Sequence, residues 1–176
     1  MSRVATDTTT DLSGRWNDTD SRLVAQKMMG EALGGPWLEK FVGRKGKEPT
    51  VIVGTVVNRG HEHINIQTFI KDLERELTNS GRVIFVASKS EREEVREERQ
   101  EQQEFSSEET AKGLGKEIGA DYMLKGTINT ILDEAKGTKA ILYQVDLEMI
   151  DMENNTKVWF GQEKIKKMIE RSRLGF

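Results

Sequence analysis

The alternation in residues 138–152 restricts the possible folds more than any other feature of this chain. Ile141, Tyr143, Val145, Leu147 and Met149 occupy every second position, and Gln144, Asp146 and Glu148 take most of the opposite parity. Side chains of a β-strand change face with every residue, so the pattern describes a strand with one apolar and one polar face. The following Glu153-Asn154-Asn155-Thr156 suits left-handed and Asx-turn geometry, which makes residues 157–165 an antiparallel neighbour. Residues 121–132 read as a third strand, preceded by a short helix over 111–119 and followed by a polar turn. The three strands form a platform: one face is core, and the other is left for water or a partner.

The rest of the chain supplies helices to cover the core face. After a polar arm over residues 1–13, Asn17, Asp18 and Thr19 are capping residues for a helix carrying Val24, Ala25, Met28, Met29 and Ala32, which Gly34-Gly35-Pro36 ends. Trp37, Leu38, Phe41 and Val42 extend the helical pattern before a basic loop over 43–47. The unbroken run Val51-Ile52-Val53-Gly54-Thr55-Val56-Val57 predicts a central strand buried on both faces. Asn65 caps a second helix bearing Ile66, Phe69, Ile70, Leu73 and Leu77, and Val83-Ile84-Phe85-Val86 closes a strand-helix-strand unit. Residues 88–104 are almost wholly charged or amide-bearing, with a capping-box start at Ser90-Glu91-Arg92-Glu93, and read as a solvated surface helix. The fold class is therefore α/β of the α+β kind: a central, mainly antiparallel mixed sheet of about four or five strands flanked by helices in one domain over residues 14–168, with a basic tail over 169–176.

A length of 176 residues suits one domain with one core. With 27 Lys and Arg against 30 Asp and Glu, the net charge of −3 offers no broad positive field for nucleic acid. The absence of cysteine excludes disulfides, thiol catalysis and thiolate metal sites. No apolar run reaches the length of a membrane span, and Met1-Ser2-Arg3 lacks the apolar stretch of a signal peptide. The expectation is either a cytosolic protein or an export segment lying upstream of this sequence.

No cluster of residues points to catalysis. Gly113-Leu114-Gly115-Lys116-Glu117-Ile118-Gly119 has the glycines of a phosphate loop, but it lies inside a helical pattern and follows no strand. His61 and His63 flank Glu62 without a defined third ligand, so they read as loop residues; a metal-dependent hydrolase built on them is the enzymatic alternative. The expectation is no catalytic residue, no cofactor and no metal. What remains is a binding module.

Five segments in a fixed order resemble the LpoB family of outer-membrane lipoproteins that activate penicillin-binding proteins. They are Trp16-Asn17-Asp18-Thr19-Asp20-Ser21-Arg22-Leu23-Val24, Asn58-Arg59 after the first strand, Ser80-Gly81-Arg82 before the second, Ile118-Gly119-Ala120-Asp121-Tyr122-Met123-Leu124, and residues 154–159 with Glu163 and Lys164. The resemblance spans residues 12–167. It implies a periplasmic domain on the outer membrane, held by a lipidated cysteine upstream, that binds a bifunctional penicillin-binding protein (peptidoglycan synthase). By position, the expected partner-binding residues are Lys125, Thr127, Gln144, Asp146 and Glu148 on the polar parity, with Arg59 on the adjoining loop. The alternative is an assembly component of another envelope complex, similar to secretion-channel or TolB-type lipoproteins.

Overall fold

A computed structural model describes residues 3–86 and 119–170. Asn17 starts helix α1 (Asp18–Leu33) with a reciprocal capping box: its Oδ1 accepts from Asp20 N at 3.0 Å, and Asp20 Oδ2 accepts from Asn17 N at 3.0 Å. Two backbone donors that lack helical partners are thereby satisfied. Helix α2 (Pro36–Lys45) opens on a proline and closes at Gly46, whose φ of +68° lets its N–H return to Val42 O at 2.8 Å. Helix α3 (Ile66–Asn79) is capped by Asn65, and the four-residue spacing of Phe69, Leu73 and Leu77 turns all three fully into the core.

Five strands form one sheet: β1 (Thr50–Asn58), β2 (Ile84–Phe85), β3 (Tyr122–Ala135), β4 (Thr138–Asp151) and β5 (Lys157–Glu170), in the order β2-β1-β3-β4-β5. β1 runs parallel to both its neighbours, as a strand-helix-strand unit requires, and β3, β4 and β5 are antiparallel. The β3–β4 connection is a two-residue turn in which Lys136 (φ 47°) and Gly137 (φ 85°) both take the left-handed conformation that matches strand twist. At the other hairpin Asn155 has φ 60° and Asn154 Oδ1 accepts from Thr156 N at 3.0 Å. The alternation of β4 is realised in full, with Ile141, Tyr143, Val145, Leu147 and Met149 all buried. The mixed, mainly antiparallel single-domain architecture is the one expected.

Two expectations need correction. β1 is not buried on both faces, because Thr55 and Val57 are exposed while Val51 and Val56 are buried. All three described helices pack on one side of the sheet, and a run of β-branched residues carries no parity to reveal this. β5 continues to Glu170, beyond the end expected at residue 165, since Lys167 finds buried partners and Ile169 packs against the core. The charged helix expected over 88–104, the expected helix before residue 119 and the end of the basic tail lie outside the described residues.

Gly126 allows β3 and β4 to approach. A Cβ there would collide with the Asp146 carbonyl and with Leu147 Cδ2. Gly126→Ala is expected to cost about 1–3 kcal/mol through overpacking against backbone, seen as a lower urea midpoint with an unchanged slope.

Candidate partner-binding surface

Strand parity divides the sheet. On β3, β4 and β5 the residues facing the helices include Leu124, Ile128, Tyr143, Leu147 and Ile165. The opposite face carries Lys125, Thr127 and Asn129 on β3, Gln144, Asp146 and Glu148 on β4, and Phe160, Gln162, Lys164 and Lys166 on β5. No described element covers that face. Five of the six expected partner-binding residues therefore lie together on it, in register as Lys125 opposite Glu148 and Thr127 opposite Asp146, with Gln144 beside them. Arg59, the sixth, follows β1; its N–H donates to Ile128 O at 2.8 Å, so it extends the ladder at the rim of the same face with its side chain exposed.

The polar groups of this face hold one another. Glu148 lies 2.7 Å from Lys157 Nζ and 3.6 Å from Lys125 Nζ. Asp146 accepts from Gln144 Nε2 at 2.9 Å and from Gln162 Nε2 at 2.8 Å, and Asn129 Nδ2 donates to Thr127 Oγ1 at 3.3 Å. Exposed pairs of this kind contribute little stability. Their consequence is positional: cross-strand neighbours fix where each charge is displayed. Exposed Ile131, Phe160 and Met168 add apolar area towards the ends of the strands.

A second polar cluster, on the helix side, was not visible in the sequence. Lys167, only 6% exposed, donates from Nζ to Asp20 Oδ2 at 2.6 Å, to Arg15 O at 2.9 Å and to Asp11 Oδ1 at 3.2 Å. Glu62 Oε1 accepts from Trp16 N at 2.8 Å and from the Tyr143 hydroxyl at 2.8 Å, and Gly14 O lies 3.1 Å from that hydroxyl. Burial raises the Tyr143 pKa well above the ordinary phenol range, and its bond to the Glu62 carboxylate adds to the shift. These bonds fasten the segment before α1 to β4 and β5. The available signal was Lys167 itself: it shares the helix-facing parity of Ile165 and Ile169, where a charge requires a partner.

The same contacts involve the loop on which the metal alternative is placed. Glu62 accepts from the Tyr143 hydroxyl and from Trp16 N, and both histidines are exposed. Among the described residues no group of three or more His, Cys, Asp or Glu is placed to hold a metal ion. No described helix is long and apolar enough to cross a membrane.

A family model described as "Peptidoglycan-synthase activator LpoB" matches residues 20–165. Among solved structures the chain is similar to the LpoB C-terminal domain from Salmonella enterica at 18% identity, covering 75% of this chain and 94% of that one with a TM-score of 0.39. The LpoB C-terminal domain from Escherichia coli matches at 17% identity, over 77% and 98% of the two chains, with a TM-score of 0.39. A lipoprotein from Neisseria meningitidis matches at 14% identity, over 72% and 88%, with a TM-score of 0.45. No curated protein sequence matches the chain.

Proposed function

The chain belongs to the LpoB family of peptidoglycan-synthase activators, and from that premise we propose that it docks on a bifunctional penicillin-binding protein through the open face of β3, β4 and β5 and activates it without catalysing a reaction itself. The observation that carries this reading is the uncovered polar face, on which Lys125, Thr127, Gln144, Asp146 and Glu148 are held in cross-strand register with Arg59 at the rim. Activation by binding needs no reactive group. A protein that binds the active state of its partner more tightly than the inactive one by about 1.4 kcal/mol shifts that equilibrium tenfold. The domain would act at the periplasmic side of the outer membrane, on a lipid anchor upstream of the sequence.

The test is the combined variant Arg59→Glu, Lys125→Glu, Asp146→Lys and Glu148→Lys. It keeps opposite charges at the Lys125 and Glu148 positions, so the sheet retains one cross-strand attraction while the pattern shown to a partner is inverted. Binding to the purified synthase of the same organism is expected to fall at least tenfold, about 1.4 kcal/mol, with stimulation of glycan polymerisation lost and the circular dichroism spectrum unchanged. Equal binding by the variant would remove this face from the interaction. The alternative of a self-assembling envelope component would use the outer edge of β5, but Lys157, Lys164 and Lys166 on that strand oppose edge-to-edge pairing.

A further inference from the structure

Near the β3–β4 turn the strands outrun the helices, and the helix-facing side of the sheet opens into a cleft of about 560 Å³. Its floor is apolar: Leu132 is 46% exposed, with Ile141 and Ile169 beside it. Its walls come from the segment before α1, which contributes Ser13 and Arg15, and from the loop carrying His61 and His63, while Lys139 rises from β4. The volume falls within the range of real ligand sites. This cleft is on the opposite side of the sheet from the face proposed above to meet the synthase.

The charges around the cleft are satisfied unequally. Glu62 is engaged by Trp16 N–H and the Tyr143 hydroxyl, and Asp11 and Asp20 are engaged by Lys167. The side chains of Arg15, His61, His63 and Lys139 make no hydrogen bond or ion pair among the described residues, even though Glu134 stands opposite Lys139 in register. The hydroxyls of Ser13 and Thr130 accept from Arg15 N and His61 N, which leaves the proton of each free for a ligand. Glu62, Asp11 and Asp20 are thus engaged internally, while Arg15, His61, His63 and Lys139, with Glu134 the unengaged acid set beside Lys139 on the strand pair, are left at an open, partly apolar volume. In a chain of net charge −3 this is a local reversal of sign.

We propose that the cleft is a second binding site, which takes an acidic peptide segment of a partner protein: carboxylates meet Arg15 and Lys139, and an apolar side chain covers Leu132. Charge complementarity selects the carboxylates. The exposed floor selects the apolar residue, since a purely polar anion would leave Leu132 in water.

The probe is a blocked hexapeptide of glutamate and leucine, titrated into the full chain by calorimetry and by amide shifts in NMR spectra. Saturable binding is expected, with shifts at Thr130, Ile141 and Ile169. Affinity should fall roughly tenfold or more when glutamine replaces glutamate in the peptide, and likewise in the Arg15→Gln, Lys139→Gln double variant. Neither side chain makes an internal bond, so the variant should keep its urea midpoint; Lys139→Arg should keep binding. Equal affinity for the glutamine peptide, unchanged affinity in the double variant, or shifts confined to the face bearing Lys125 and Lys164 would overturn the proposal. Inorganic phosphate binding as tightly as the peptide would also overturn it, in favour of a simple anion site.

Discussion

Lys167→Met is expected to destabilise the domain by about 3–5 kcal/mol, the scale found when one partner of a buried ion pair is removed. Asp20 Oδ2 is 2.6 Å from the ammonium, with the two side chains only 5% and 10% exposed, so little water can replace the lost charge. Methionine keeps the unbranched apolar stem of lysine and lacks only its terminal nitrogen position, so the loss reports chiefly the charge and its three bonds. Asp20 also accepts from Asn17 N in the capping box. The double variant Lys167→Met, Asp20→Asn should therefore recover part of the loss: asparagine removes the stranded charge and can still accept that bond. The check is urea denaturation followed by tryptophan fluorescence. A drop below about 1 kcal/mol, the range of exposed pairs, would mean that the site is wet. The same variant releases Arg15 O, one end of the segment that walls the cleft.

The contrast between Lys167 and the elements around it shows what a sequence of this kind makes legible. The Asn17 cap, the spacing of Phe69, Leu73 and Leu77 and the parity of β4 are local patterns: each is set by residues within a few positions of one another, and each is present in the fold. The open face followed from that parity alone, because residues two apart on a strand must share a side. What was not legible depends on distant partners. Lys167 and Asp20 are separated by 147 positions, and Glu62 and Tyr143 by 81. Lys166 and Lys167 lie just beyond the strand end expected at residue 165, and nothing near them in sequence marks Lys167 as buried until its helix-side partners are known. For β1, every residue of the run is compatible with burial, so only the placement of all described helices on one side decides which face stays open. The pairing of Lys125 with Glu148 likewise needed the register, which the two-residue turn at Lys136 and Gly137 sets.

Tyr143 ties β4 to the segment before α1, and its substitutions separate packing from hydrogen bonding. Its ring is fully buried, 5.7 Å from the Trp16 ring in an edge contact and 5.9 Å beneath Lys167 Nζ. Tyr143→Ala should cost about 3–5 kcal/mol, as deletion of a large buried aromatic leaves a cavity that the sheet cannot close. Tyr143→Phe keeps the ring and removes the hydroxyl that bonds Glu62 and Gly14 O; because Glu62 Oε1 still accepts from Trp16 N, about 1–3 kcal/mol is expected. The hydroxyl also predicts a pH dependence whose sign is determined. Its pKa is raised in the fold above the ordinary value of 10.0, so the folded chain keeps the proton after the unfolded chain has lost it. Stability from this group is complete below pH 10 and declines as pH rises from there towards the folded value. The advantage of the natural protein over Tyr143→Phe should accordingly shrink above pH 10. Tyr122, which burial also raises, is present in both proteins and cancels. A constant difference between the two across that range, measured by urea midpoints, would show that Tyr143 ionises as freely in the folded chain as in the unfolded one. The bond to Glu62 would then contribute nothing to the proton affinity of Tyr143.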